Sequence, residues 1–348
     1  MNSLVRTAVV GYGTGGRVFH APLIAADNAY ELRMIATSNV ERAADAAARY
    51  GEEVVVAGAD EVFARASELD LVVITSPNET HGPLAHRALE AGLDVVVDKP
   101  FALSAVEGRE VIAHAEAVGR RVTVFQNRRW DGDFLTVERL IGQGSSGALG
   151  QVRQFESAFE WWKPDLGSKW KEVVAPEHGG GILFDLGPHL IDQAIRLFGP
   201  VDVATGVHAE LDRRRPGSVT DDDSFVTLRH ENGVRSRLWF SAVSPWNRPR
   251  FRVVGSHAVF ETEGLDPQEA QLKAGLPVDD PAFGHGHPDG LLRSPESTSA
   301  VTLTPGAYPE FYRRLASALT TGAPLPVDPR DSLLVLEIIE QAHALSHA

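Results

Sequence analysis

Three short stretches hold side chains able to do acid–base or redox chemistry. At VVDKPF an apolar run meets Asp98, Lys99 and Pro100. Strands must end somewhere, and Lys-Pro ends one well. A lysine at a strand's carboxyl end is equally a cation placed where an alcohol oxygen can lose its proton. At GGGILFDLGPHLIDQ, Asp185 and His189 stand four apart. On a helix they share a face, and the carboxylate can fix the imidazole's orientation. Pro188 between them favours a first helical turn near residue 185 or a kink, and a helix cap beside an ordinary buried histidine explains the same letters. The glycines at 179 to 181 let another segment or a ligand come close. The third stretch, Gly11-Tyr12-Gly13-Thr14-Gly15-Gly16, fits G-x-G-x-x-G directly after an apolar run.

Residues 1 to 125 alternate short β-branched runs (TAVVG, ELRMIATS, EVVVAG, DLVVITS, LDVVVDK, RVTVFQN) with Ala-rich helical stretches. Continuous apolar strands separated by amphipathic helices indicate βαβ units, so this half is α/β and doubly wound around a parallel sheet. Between strand one and the apolar helix RVFHAPLIAA, Gly11 makes a tight turn, Gly13 lets backbone approach a pyrophosphate, and Gly16 packs helix on strand. Thr14 and Gly15 complete the loop, whose helix supplies amides for phosphates. At the end of strand two, Thr37, Ser38 and Asn39 stand where an NAD site carries an acid, and Arg42 follows within reach of a 2′-phosphate. NADP is therefore favoured over NAD. Strand four leads through Ser76 and Pro77 to Asn78 and His81, where Asn78 can meet the nicotinamide side or cap a turn.

After residue 130 one helix, FLTVERLIGQG, precedes segments in which polar and apolar residues alternate, as in an antiparallel sheet with one covered face. A boundary at 128/129 separates a dinucleotide-binding domain (1–128) from an α+β domain (129–348) with a large, mainly antiparallel open sheet. Residues 264 to 307, rich in Gly, Pro and Asp, read as a long surface excursion, and 308 to 320 and 330 to 345 as closing helices. Trp161, Trp162 and Lys163, with Trp170 and Lys171 further on, offer flat faces and cations suited to a sugar or cyclitol, or serve core and interface. His285-Gly286-His287-Pro288-Asp289 has metal-ligand chemistry. Its Gly- and Pro-rich setting predicts a solvated loop, and hydride transfer needs no metal.

The chain has 348 residues, 43% hydrophobic and 23% charged, an ordinary globular composition with room for two cores. A formal charge of −14 repels phosphate backbones and anionic membranes, which argues against nucleic-acid and membrane partners. With no cysteine, disulfide and thiolate chemistry are excluded. The apolar run in MNSLVRTAVVGYG is too short to span a membrane and leads into glycines, so it reads as the first strand of a cytoplasmic protein.

GYGTGGRVFHAPLI, SPNETH, DKP, FQNRRWDGDF and GGGILFDLGPHLIDQA together resemble the Gfo/Idh/MocA oxidoreductases over nearly the whole chain, whose close, LPVDPRDSLLVLEIIEQAHALS, is similar to the family's last helix. The resemblance implies a Rossmann domain and an NAD(P)-dependent dehydrogenase acting on CH–OH groups of a sugar or inositol-like cyclitol. It maps the catalytic group to Lys99, Asp185 and His189, and nicotinamide contacts to Asn78, Asp98, Lys99 and Arg128. Asp98 stands where the family usually has Glu, one methylene shorter with the same charge. The resemblance further implies a homodimer or homotetramer built on the open sheet face. Two rivals share the fold: a redox-inert NAD(P)-binding sensor, expected to lack the lysine or the histidine, and an NAD-dependent glycoside hydrolase.

Overall fold

A computed structural model describes residues 4–167 and 174–346, so Trp170 and Lys171 lie outside the described residues. Two units emerge. The first comprises Met1–Asn127, Gln268–Phe283 and Tyr308–Leu333; the second comprises Arg128–Pro267, Gly284–Ala307 and Leu334–Ala348. In chain order the principal helices are α1 (Ala21–Ala25), α2 (Val40–Tyr50), α3 (Ala59–Ala64), α4 (His81–Glu90), α5 (Ala105–Ala117), α6 (Gly132–Gly142), α7 (Ile182–Phe198), α8 (Gln268–Lys273), α9 (Pro309–Thr321) and α10 (Pro329–Ser346).

The first unit holds six parallel strands, β1 (Val5–Val10), β2 (Tyr30–Ala36), β3 (Val55–Ala57), β4 (Leu71–Ile74), β5 (Asp94–Val97) and β6 (Val122–Val124), in the order β3-β2-β1-β4-β5-β6. Every residue of β4 and β5 is buried, as a sheet covered on both faces requires. The order reverses between β1 and β4, which opens a crevice at the carboxyl ends of those strands. The apolar letters after the glycine loop predict one helix. Instead the segment begins as a π turn, Gly15–His20, in which the Ala21 N–H donates to Gly16 O, and becomes the short α1 only then. Pro22 has no amide hydrogen to carry the ladder onward, and the wide turn sits directly before it.

Eight strands form the sheet of the second unit: β7 (Gln154–Glu160), β8 (Val207–Asp212), β9 (Asp223–Arg229), β10 (Arg235–Ser241), β11 (Phe251–Val254), β12 (Val259–Thr262), β13 (Gly290–Arg293) and β14 (Thr298–Val301). Their order is β14-β13-β12-β11-β7-β10-β9-β8, antiparallel except where β7 meets β10. Phe155, Val226, Leu238, Phe240, Val253 and Phe260 alternate onto a buried face. On the opposite face the Phe225 and Trp239 rings pack at a tilt with centroids 5.2 Å apart, and Glu156 and Glu261 bridge Arg237, Arg252 and Arg293 at 2.9 to 3.4 Å.

The expectation of a surface excursion over 264 to 307 fails. That segment contains α8 in the first unit and β13 and β14, which extend the second sheet. Its apolar runs are no longer than two residues, as at Leu291-Leu292, and β14 is an exposed edge strand whose letters carry no burial signal.

The loop at 285 to 289 is solvated as expected except at His287. His285 is exposed, but the His287 side chain is only 5% exposed, with Nε2 3.9 Å from Oδ2 of the fully buried Asp133 on α6. A loop histidine that finds a buried carboxylate leaves solvent, which sequence texture alone does not register. Among the described residues no group of three or more His, Asp or Glu is arranged to hold a metal ion. Burial, and then the charge of Asp131, push the Asp133 carboxyl up to about 6, against the pull of Arg250 and His287. A carboxyl raised in the folded state stabilises most at low pH, and that contribution is lost as pH rises through about 6. Asp133→Asn is therefore expected to raise Tm by a few degrees at pH 8, with the gain shrinking toward pH 5 in thermal scans across that range.

Candidate active site

Candidate side chains occur within each unit, each set on its own elements. In the first unit the glycine loop is shaped by the ends of β4 and β5. Gly11 has φ +102°, and a Cβ there would lie 2.6 Å from the Thr75 backbone. At Gly15 it would meet Thr75 Oγ1 at 2.1 Å and Asp98 Oδ2 at 2.6 Å, and at Gly16 the Gly11 carbonyl at 2.1 Å. These three glycines are required by the protein's own packing. Gly13 differs, since the nearest atom to its absent Cβ is Arg42 Nη1 at 3.8 Å, an ordinary contact. The protein does not forbid a side chain at Gly13, so its need for glycine comes from whatever the loop binds.

Arg42 thus sits beside the loop, on the exposed first turn of α2 that Asn39 caps by accepting the Arg42 amide at 2.9 Å. Thr37 Oγ1 accepts the Asn39 amide at 3.3 Å, while Ser38 is exposed at the strand end. After β4, Ser76 pairs with Thr80 through their hydroxyls at 2.5 Å, Pro77 is exposed, and Asn78 begins a 3-10 turn half-buried. His81 is buried, with Nδ1 2.8 Å from Pro100 O and Nε2 3.0 Å from Ser76 O. Both its ring nitrogens meet main-chain carbonyls, so it ties the ends of β4 and β5 together. Burial pushes its imidazole down, opposed by those carbonyls and by Asp98.

Asp98 Oδ1 accepts the Lys99 amide at 2.7 Å, and Oδ2 accepts the Thr75 hydroxyl at 3.3 Å. His20 Nε2 lies 3.6 Å from the same Oδ2. Burial alone would raise this carboxyl, but the nearby His20, Lys99 and His81 hold it below the usual carboxylate range. Lys99, half-buried, follows at once. His20 escaped the sequence reading because one histidine in an apolar helix carries no spacing signal.

In the second unit Asp185 and His189 lie on α7, Asp185 half-buried and His189 7% exposed. The helix begins at Ile182, three residues earlier than Pro188 suggested, because another carboxylate caps it. Asp221 accepts the Ile182 amide through its carbonyl at 2.9 Å and the Leu183 amide through Oδ2 at 2.8 Å. A Cβ on Gly181, at φ +104°, would lie 2.0 Å from Asp221 Oδ1, and one on Gly180 would lie 1.9 Å from Val174 O. The glycines therefore admit the protein's own chain. Arg129 grips Asp192 of α7 bidentately at 2.6 and 2.8 Å, and Gln193 donates to Arg128 O and accepts from Arg250. Arg128, buried, donates to Asp131 at 3.2 Å and lies over Phe159. Trp161 carries Lys163 Nζ 5.6 Å from its ring centroid, while Trp162, bridged to Val243, is 57% exposed. Adjacent residues of an extended chain point oppositely, so Trp161 and Lys163 act together and Trp162 stands apart.

A family model described as "Oxidoreductase family, NAD-binding Rossmann fold" matches residues 5–126, and its partner, "Oxidoreductase family, C-terminal alpha/beta domain", matches 141–346. The chain belongs to the Gfo/Idh/MocA oxidoreductase family. Among family relatives, the uncharacterized oxidoreductase YdgJ of Escherichia coli is 39% identical over 98% of this chain and 96% of that one. The scyllo-inositol 2-dehydrogenase (NADP(+)) IolW of Bacillus subtilis is 31% identical over 97% of this chain and 92% of its own. Of solved structures, yvaA from Bacillus subtilis superposes with a TM-score of 0.90 at 30% identity, covering 99% of this chain and 96% of that one. A Bacillus cereus oxidoreductase gives 0.85 at 28%, covering 98% and 96%. As a family member the chain is an oxidoreductase with an NAD(P)-binding Rossmann fold.

Proposed function

We propose that the protein is an NADP-preferring dehydrogenase that interconverts a secondary alcohol and a ketone on a sugar or cyclitol. The observation that carries this reading is the edge of the first sheet, where the unobstructed side of Gly13 and Lys99 stand at the carboxyl ends of β1 and β5. The loop fits a dinucleotide: Gly13 leaves room for a pyrophosphate, and Thr37, Ser38 and Arg42 offer hydroxyls and a guanidinium to a 2′-phosphate. When bound, the nicotinamide accepts or supplies hydride at C4. In the oxidative direction His189 takes the hydroxyl proton, and in reduction it returns it. Asp185, one turn earlier on α7, keeps the imidazole oriented, and Lys99 donates a hydrogen bond to the reacting oxygen as negative charge develops. Trp161 and Lys163 supply an apolar face and a cation for a polyhydroxylated ring. IolW, named as an NADP-dependent scyllo-inositol dehydrogenase, supports both the cofactor and the substrate class.

The test is absorbance at the reduced-nicotinamide band with NADP or NAD and a panel of inositols and aldoses. Turnover with at least one polyol is expected, faster with NADP, and Lys99→Ala is expected to lower kcat by about a hundredfold or more while changing dinucleotide affinity little. Near-native turnover in the variant would overturn the role of Lys99, and silence of the native protein across the panel would overturn the reading.

We further propose that copies associate through the open sheet face, whose alternating Glu and Arg side chains around the Phe225–Trp239 pair suit a self-complementary contact. Sedimentation is expected to give a dimer or tetramer, and Trp239→Glu a smaller species. A monomeric native chain would contradict this.

A further inference from the structure

His20 is fully buried on the π turn of the glycine loop, where a neutral hydrophobic residue would satisfy the helix pattern. Its Nδ1 lies 2.6 Å from the hydroxyl of Tyr312 on α9, and Tyr312 is itself held by Tyr30, whose hydroxyl donates to the Tyr312 carbonyl at 2.7 Å. Phe125 covers the ring at 4.2 Å between centroids. Nε2 has no hydrogen-bond partner among the described residues and is directed at Asp98 Oδ2, 3.6 Å away. An ionised carboxylate only accepts, so Nε2 carries the hydrogen. In the neutral ring Nδ1 then accepts the Tyr312 hydroxyl. Tyr312 thereby sets the tautomer that points an N–H at Asp98.

The Asp98 carboxylate has two further duties. It accepts the amide of Lys99 and rests where a Cβ on Gly15 would stand. We propose that His20 is a positioning residue: presented by Tyr312, its Nε2–H holds Asp98 between the dinucleotide loop and the backbone of Lys99, and so sets both at once. This rests on the dehydrogenase reading for its consequence in turnover, but its effect on the loop is independent of any substrate. The groups facing the pair are Tyr312 from α9, His81 from α4, Thr75 from the end of β4, and Lys99. His20 is among the groups that hold the Asp98 carboxyl down. Without it the carboxyl takes up its proton at a higher pH.

Asparagine mimics Nδ1 and glutamine mimics Nε2, so two conservative variants separate the two ends of the ring. His20→Gln is expected to keep kcat within a few-fold. His20→Asn is expected to lower kcat about ten- to a hundredfold, the scale of effect of a displaced supporting group, with KM changed much less. In apo protein, NADPH affinity followed by tryptophan fluorescence from pH 5 to 8 is expected to stay flat for the native chain and His20→Gln, and to weaken toward pH 5 in His20→Asn. Tyr312→Phe is expected to shift the same profile in the same direction by less, and it carries the test if His20→Asn does not fold. Equal losses in the Asn and Gln variants that follow their Tm values, or one shared pH profile for every variant, would overturn the proposal in favour of packing alone. If the native protein oxidises no polyol, the dehydrogenase reading falls while the binding profiles still decide the role of His20.

Discussion

A carboxylate, a threonine hydroxyl and a glycine compete for one small volume where β1, β4 and β5 end. Asp98 and Thr75 occupy the place of a side chain at Gly15, and the Thr75 backbone and the Gly11 carbonyl do the same at Gly11 and Gly16. Close packing of this kind leaves no slack. The course of the loop, the direction in which Lys99 leaves β5 and the position of Asp98 are consequently one arrangement. His81, with its two ring nitrogens on the carbonyls of Ser76 and Pro100, binds the same strand ends from behind. A site built this way needs few flexible contacts, because the strands that deliver its groups also fix them.

The second unit uses a different means to the same end. Its helix α7, which carries Asp185 and His189, is held by charge: Asp221 at its first amides, Arg129 on Asp192, and Arg250 on Gln193. Burying such pairs costs desolvation, and truncating one partner leaves the other uncompensated, typically at about 3–5 kcal/mol. What the arrangement secures is the register of α7, and with it the directions in which Asp185 and His189 project. Asp133 is the exception within this charged interior, a buried carboxyl 3.9 Å from His287 that burial pushes up to about 6.

Much of this was legible in the letters. Continuous apolar runs specified the parallel strands, and the glycine spacing specified the loop, because both obey short-range rules. Alternation disclosed the second sheet as far as β12. β13 and β14 were missed because a four-residue strand and an exposed edge strand in a Gly- and Pro-rich segment have no hydrophobic period to reveal them. The true cap of α7 was missed for another reason: Asp221 lies some 40 residues downstream of the helix it starts, roughly the separation at which local cap signals say nothing. His20 was opaque in the same way, with no neighbour in sequence that announces it, and the neighbours of His287 pointed to one another instead of to Asp133. Each acquires its meaning from a carboxylate brought to it by folding.

Gly13 isolates the central claim that this loop carries a dinucleotide. Among the described residues nothing excludes a methyl group there, so Gly13→Ala is compatible with the fold, and any loss of binding comes from the ligand's side. Calorimetric titration of NADP into the native chain and this variant, beside their thermal scans, is the decisive measurement. The expected result is an unchanged Tm with affinity reduced by roughly tenfold or more, the methyl standing where the pyrophosphate must approach. Equal affinity in the two proteins would contradict it, and the site would have to be sought elsewhere.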